Sequence, residues 1–184
     1  MKLFSATEKF EKNYFSCLIA LLPISFIAGN LIINANIIIL ILSAVLLYRS
    51  QLFSIKYFHI DKLLFIYFAL IIFTGIYNDI EIRQANVGYS DFVGSYHTSI
   101  KSFLFLKYLF LYLVIRFLIQ NDILNLKIFF IICSLSSLFV CFDIFFQFIY
   151  GKDIFGYGSS LSGRKLGGPF GDELIAGGYI QRFS

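Results

Sequence analysis

Charge is what this sequence has least of. Asp, Glu, Lys and Arg together make up 14% of its 184 residues, whereas a soluble domain usually carries about 25%. That scarcity excludes a water-solvated globule, because the 59% of hydrophobic residues and the mean hydropathy of +0.81 leave too little polar surface to cover a core. The apolar residues also lack the alternating or 3.6-residue faces that a soluble core requires and come in unbroken runs. The net charge of +4 does not point to nucleic acid, since the cations stand as single anchors between apolar runs and form no basic stripe interleaved with aromatics. Cysteine is equally sparse. Cys17, Cys133 and Cys141 all fall inside apolar stretches, which gives neither a disulfide framework nor metal-ligand spacing and reads as small packing residues. No Ser-His-Asp arrangement or paired-carboxylate motif can be assembled. Gly167 and Gly168 lack the Lys-Ser/Thr context of a nucleotide loop, and His59 and His97 have no metal-like partner spacing. No metal and no cofactor is expected, and there is no internal repeat.

What is present is a series of lipid-soluble segments. A helix needs about 20 mainly apolar residues to cross the ~30 Å hydrocarbon layer, and residues 14–29, 31–48, 63–77, 103–119 and 128–150 come close to that length. The expected fold is therefore all-α, a polytopic transmembrane bundle with its lipid bilayer as solvent. Pro23 is expected to kink the first span, and the first two spans to form a tight hairpin around Asn30. The basic stretch before the first span reads as part of a signal-anchor hairpin and not as a cleaved leader. Lys2, Lys9 and Lys12 precede the first span, and Arg49, Lys56 and Lys62 lie between the second and third. By the positive-inside rule both regions are cytoplasmic. Residues 78–102 are then external, 120–127 form an internal turn, and everything after Tyr150 emerges on the outer face.

The chain changes character there. Residues 151–172 read as an outer loop rich in Gly and Ser that carries Arg164 and Lys165, and residues 173–184 as the start of a sixth helix. Pro169 followed by Asp172 and Glu173 is a helix-start signature, and the two acids suit an N-terminal dipole. Arg164 and Lys165 read either as solvated loop charges or as a phosphate-capture pair beside the bilayer. Arg182 is expected about ten residues into the sixth helix, ~15 Å along its axis, where an arginine usually marks function. Asp143 lies inside the fifth span with Gln147 one turn above it. Lys107 matches Asp143 in depth on the fourth span, so a Lys107–Asp143 ion pair locking the two helices is expected, with a proton relay as the alternative for Asp143.

One stretch resembles a known family. Gly163-Arg164-Lys165-Leu166-Gly167-Gly168-Pro169-Phe170-Gly171-Asp172-Glu173-Leu174-Ile175-Ala176-Gly177-Gly178-Tyr179 resembles the loop-to-helix motif of the O-antigen ligase and O-antigen polymerase superfamily. It has the arginine, the following glycine and Phe-Gly, a short polar pair, and a small-residue helix ending in an aromatic. Asp-Glu-Leu stands where Asn-Pro-Asn is commoner, which marks a sub-branch and leaves the exact substrate open. The resemblance implies a membrane glycosyltransferase of the bacterial inner membrane with its N-terminus cytoplasmic. Its donor would be a polyprenyl-pyrophosphate-linked glycan, taken on the periplasmic face without a nucleotide sugar or metal. The acceptor would be lipid A core or a growing polysaccharide, which places the chain in lipopolysaccharide or polysaccharide biosynthesis. Arg164 matches the family's loop arginine and would bind donor pyrophosphate. With Lys165, Glu173 and Arg182 it makes up the expected substrate-binding set, Arg182 on depth and charge alone. Members of that family are longer, with a large outer loop in their second half, so the chain is expected to be a fragment that is inactive alone and whose catalytic base lies beyond Ser184. The competing expectation is a transporter or flippase subunit, for which Asp143, Lys107 and Arg182 would be pathway charges; a third is a non-catalytic assembly subunit.

Overall fold

The structure is a computed structural model that describes residues 2–53, 57–85, 97–156, 158, 166–171 and 175–184. Among the described residues it is all-α. The helices are α1 (Lys2–Ala20), α2 (Leu22–Ile27), α3 (Asn30–Tyr48), α4 (His59–Ala85), α5 (His97–Phe105), α6 (Lys107–Gln120), α7 (Leu126–Tyr150) and α8 (Ala176–Phe183), with 3-10 turns at Arg49–Phe53 and Gly168–Phe170. Among the described residues, five stretches are long and apolar enough to cross a membrane: Lys9–Ile27, Asn30–Tyr48, His59–Glu81, Thr98–Gln120 and Leu126–Tyr150. The chain is thus built as a multi-pass membrane protein, and the short helix α8 follows the fifth of these stretches. Helices suit that solvent because each closes its own backbone hydrogen bonds where no water can.

The breaks have local causes. Pro23 has no N–H to donate, and the first span divides at Leu21 into α1 and α2, with Leu21 N–H still donating to Cys17 O at 2.9 Å and Leu21 O accepting from Ser25 N–H at 2.8 Å. The hairpin into α3 turns at Gly29, whose φ of +112° is open to glycine and strained for other residues. The third span is longer than its apolar run suggests, because α4 opens with Asp61 in its first turn.

The chain divides into two compact units, one of residues 1–40 and 119–184, the other of residues 41–118. In the first, α1, α2, α8 and the 3-10 turn at Gly168–Phe170 all pack on α7. Val140, Ala176 and Tyr179 form its buried cluster, flanked by Phe26, Phe139 and Phe170. Polar side chains tie it further: Asn36 Nδ2 donates to Leu18 O at 3.2 Å and Ser25 Oγ at 3.1 Å, and Asn125 N–H donates to Ser16 Oγ at 2.8 Å. In the second unit, α4 packs on α5, and Phe68, Leu109 and Leu113 form a buried cluster. α4 and α5 approach closely at Gly75, where a Cβ would stand 2.0 Å from Ser102 Oγ.

Candidate functional site

The site is built on about the last four turns of α7. Ser136, Val140, Asp143 and Gln147 are all buried and recur at four-, three- and four-residue steps, so they form one stripe along the helix. α7 ends at Gly151 in a left-handed cap with φ +73°, and its N–H donates to Gln147 O. That cap turns the chain back over the stripe. Ile154 N–H then donates to Asp143 Oδ1 at 2.8 Å. Farther on, Gly168 N–H donates to Gln147 Oε1 at 3.0 Å. Asp143 and Gln147 therefore hold two backbone N–H groups of the returning chain, one of them that of the buried Gly168, which would otherwise lack a partner.

The described part of the motif singled out in the sequence, residues 166–171 and 175–179, packs in this setting. Gly168 takes φ +57°, and a Cβ there would meet Ile144 Cγ1 at 3.0 Å. Pro169 is buried in the 3-10 turn. Phe170 packs on Tyr179 with ring centroids 5.4 Å apart, and Tyr179, 1% exposed, donates its hydroxyl to Pro23 O at 3.0 Å. The aromatic that ends the motif thus joins α8 to the kinked first span. In chain order, the Ile154–Asp143 bond and the Lys152–Gly158 bridge come before Arg164 and Lys165, and the Gly168–Gln147 bond comes after them.

Arg164, Lys165 and Glu173 lie outside the described residues. Arg182 is described and differs from its expected depth. α8 begins at Ala176, because Gly168–Phe170 is a 3-10 turn and not the helix start that Pro169 suggested. Arg182 is consequently in the last turn of α8, exposed, with its guanidinium carbon 5.8 Å from the centroid of the Phe26 ring. Asp143 is fully buried, and its Oδ2 has no hydrogen-bond partner. Asp153, 3% exposed, is a second buried carboxylate of the returning chain. Lys107 belongs to the other unit, where its ammonium lies 5.0 Å from the centroid of the Tyr108 ring. The expected Lys107–Asp143 pair would link one unit to the other and stays an expectation. Among the described residues no group of three or more His, Cys, Asp or Glu is placed to hold a metal ion.

A second polar centre, in the unit of residues 41–118, was missed by reasoning from sequence. Asp61, fully buried, accepts from Tyr112 Oη at 2.7 Å and from Phe58 N–H, and pairs with Arg116. Phe58 immediately precedes α4 and Asp61 is its third residue, so the carboxylate closes the reciprocal half of a capping box. The Arg116 guanidinium stacks 4.5 Å from the Phe58 ring centroid. Asp79 caps α5 in a similar way, accepting from Thr98 N–H at 3.3 Å and Ser99 N–H at 2.8 Å. The signal for both was available: an ionisable residue at the border of an apolar run needs a partner.

No protein-family model matches the chain, and no curated protein and no solved structure shows significant similarity to it.

Proposed function

We propose that the chain belongs to a membrane glycosyltransferase that moves a glycan from a polyprenyl-pyrophosphate carrier to lipid A core or to a growing polysaccharide, in the manner of the O-antigen ligases and polymerases. One observation carries this reading. Three described residues of the stretch that resembles their loop-to-helix motif are seated on partners: Gly168 on Gln147, Phe170 against Tyr179, and Tyr179 on Pro23. A guanidinium presents the planar fork that recognition of a pyrophosphate needs, and Arg164 precedes Gly168 by four residues in the chain. On this reading the N-terminus is cytoplasmic in a bacterial inner membrane, and Arg164 binds donor pyrophosphate on the outer face with Lys165, Glu173 and Arg182 nearby in the chain.

Arg164→Ala, introduced into the gene in its host, is expected to abolish attachment or elongation of surface polysaccharide while the protein still inserts in the membrane at its normal level. The ladder of surface glycans on a gel measures the first, and a membrane-fraction immunoblot the second. A normal ladder with Arg164→Ala would overturn the reading. The rival is a transporter or flippase subunit, favoured by the buried Asp143 in an apolar span with one carboxylate oxygen unbonded. For that function Asp143→Asn is the variant that should stop transport, and loss of the carboxylate charge should leave glycan transfer standing.

A further inference from the structure

α7 stays apolar to its end. Phe145, Phe148, Ile149 and Tyr150 are all exposed on its last turns, a surface that is stable against hydrocarbon and costly against water. The first exposed charge after them is Lys152. The hydrocarbon layer therefore reaches about to Tyr150, with Lys152 at its border, where a long cationic side chain can extend toward water.

The chain does not leave that layer directly. After the cap at Gly151, Lys152 pairs with Gly158 in an antiparallel bridge, and Gly156 N–H donates to Asp153 O at 3.1 Å, which sets Ile154 and Phe155 at the tip of a tight turn. The tip lies back along α7. Ile154 N–H meets Asp143 Oδ1 at 2.8 Å, and the Phe155 ring centroid is 6.4 Å from that of Phe139. Counted from Tyr150 at 1.5 Å per residue, Asp143 is ~10 Å and Phe139 ~16 Å down the helix axis. Helix side chains lean toward the N-terminus, which adds to that depth. Both contacts fall within a hydrocarbon layer of ~30 Å that ends at Tyr150.

Non-helical backbone survives at such depth only where its polar groups find partners within the protein. The turn meets that condition, since Asp143 holds Ile154 N–H and Asp153 O holds Gly156 N–H. Its side chains are sorted for lipid as well. Asp153 is buried, while Ile154 is 46% and Phe155 59% exposed. A loop solvated by water has the reverse arrangement, with acids out and large apolar side chains in.

We propose that the turn of residues 153–156 is a re-entrant tip, inserted in the leaflet on the Tyr150 side of the bilayer, with Ile154 and Phe155 against lipid acyl chains. Asp143 is the buried acceptor that permits the insertion. The inference does not rest on the glycan-transfer reading, and it gives the carboxylate inside the fifth span a task in the fold.

The sequence has no tryptophan, so a single Trp serves as an unmixed fluorescent reporter of depth. In the full chain reconstituted in dioleoyl phosphatidylcholine vesicles, Phe155→Trp is expected to emit in the blue and to resist acrylamide added to the water. It should lose most of its intensity when the vesicles contain phosphatidylcholine brominated along its acyl chains. Phe148→Trp, on the exposed face of α7, should behave the same way. With Asp143→Leu the Ile154 donor loses its partner and the tip should leave the layer. Phe155→Trp then shifts to the red and opens to acrylamide, while Phe148→Trp keeps its emission, which separates release of the tip from loss of the fold. Asp143→Asn retains an acceptor and should leave both reporters unchanged. Red emission and full acrylamide access for Phe155→Trp in the otherwise unaltered chain, beside a Phe148→Trp in lipid, would overturn the proposal. So would a Phe155→Trp that stays in lipid with Asp143→Leu, because the tip would then need no buried acceptor.

Discussion

A methyl group at position 168 would meet Ile144 Cγ1 at 3.0 Å on a backbone with φ +57°. Left-handed geometry alone costs a non-glycine residue about 1–2 kcal/mol, so Gly168→Ala should destabilise the first unit by at least that much. Gly178 is the contrast, since it lies in α8 with nothing within 4 Å of a built Cβ. There alanine removes the conformational freedom of glycine in a helix and should be neutral or stabilising by about 0.5–1 kcal/mol. Thermal midpoints of the two variants in detergent should move in opposite directions; a shared direction would mean that the turn at 168 is not seated. Asp143 supports a similar comparison. Asparagine retains an oxygen to accept Ile154 N–H, while leucine leaves that donor unpaired. Protease nicking within residues 151–171 should therefore rise with Asp143→Leu and stay at the parent level with Asp143→Asn. Equal nicking of both variants would show that the carboxylate charge matters most, as an ion pair with Lys107 requires.

Between elements, the contact that depends most on one residue is α4 against α5 at Gly75. The nearest atoms to a Cβ there are Ser102 Oγ at 2.0 Å and Ser102 Cβ at 2.7 Å. The second cannot rotate away, so Gly75→Ala must push the helices apart and break the Ser99 Oγ bond to Gly75 O. Its yield of folded protein, by size-exclusion of the detergent extract, should fall sharply. Gly75→Ala with Ser102→Gly should recover much of it, and failure of that rescue would place the damage elsewhere. The spans themselves could be read from sequence because the bilayer sets a length and tolerates few charges over it, so three of the five expected runs fall on single helices, α3, α4 and α7, and the other two on the pairs α1–α2 and α5–α6. The same filter hid Asp61. Counting apolar residues began the third span at 63, after the carboxylate that caps α4. Within the site, Gly168, Phe170 and Tyr179 were legible as a motif, and Gln147 as a neighbour of Asp143. Their actual partners were not, because backbone groups such as Ile154 N–H and Pro23 O carry no residue-type signature. The start of α8 was misplaced for a related reason: Pro169 suits the first turn of a 3-10 segment as well as that of an α-helix.

At the scale of the whole molecule, the functional reading depends on sidedness, since Arg164 can meet a lipid-linked glycan on the outer face only if an odd number of spans separates it from a cytoplasmic N-terminus. The basic residues Lys9, Lys12, Arg49 and Lys62 argue for that orientation through the positive-inside rule, and the turn between α6 and α7 then lies inside. Asn121 in that turn and Lys152 after α7 are both exposed and lie at opposite ends of the fifth span. The native cysteines all fall within apolar spans and can be replaced by serine or alanine beforehand. In spheroplasts, a membrane-impermeant maleimide is expected to label Lys152→Cys directly and Asn121→Cys only after lysis. The reverse pattern would put Arg164 in the cytoplasm, beyond reach of a periplasmic donor. Labelling of both positions before lysis would mean that α7 does not cross the bilayer, and the seat of the motif on Asp143 and Gln147 would then have to form at a membrane surface.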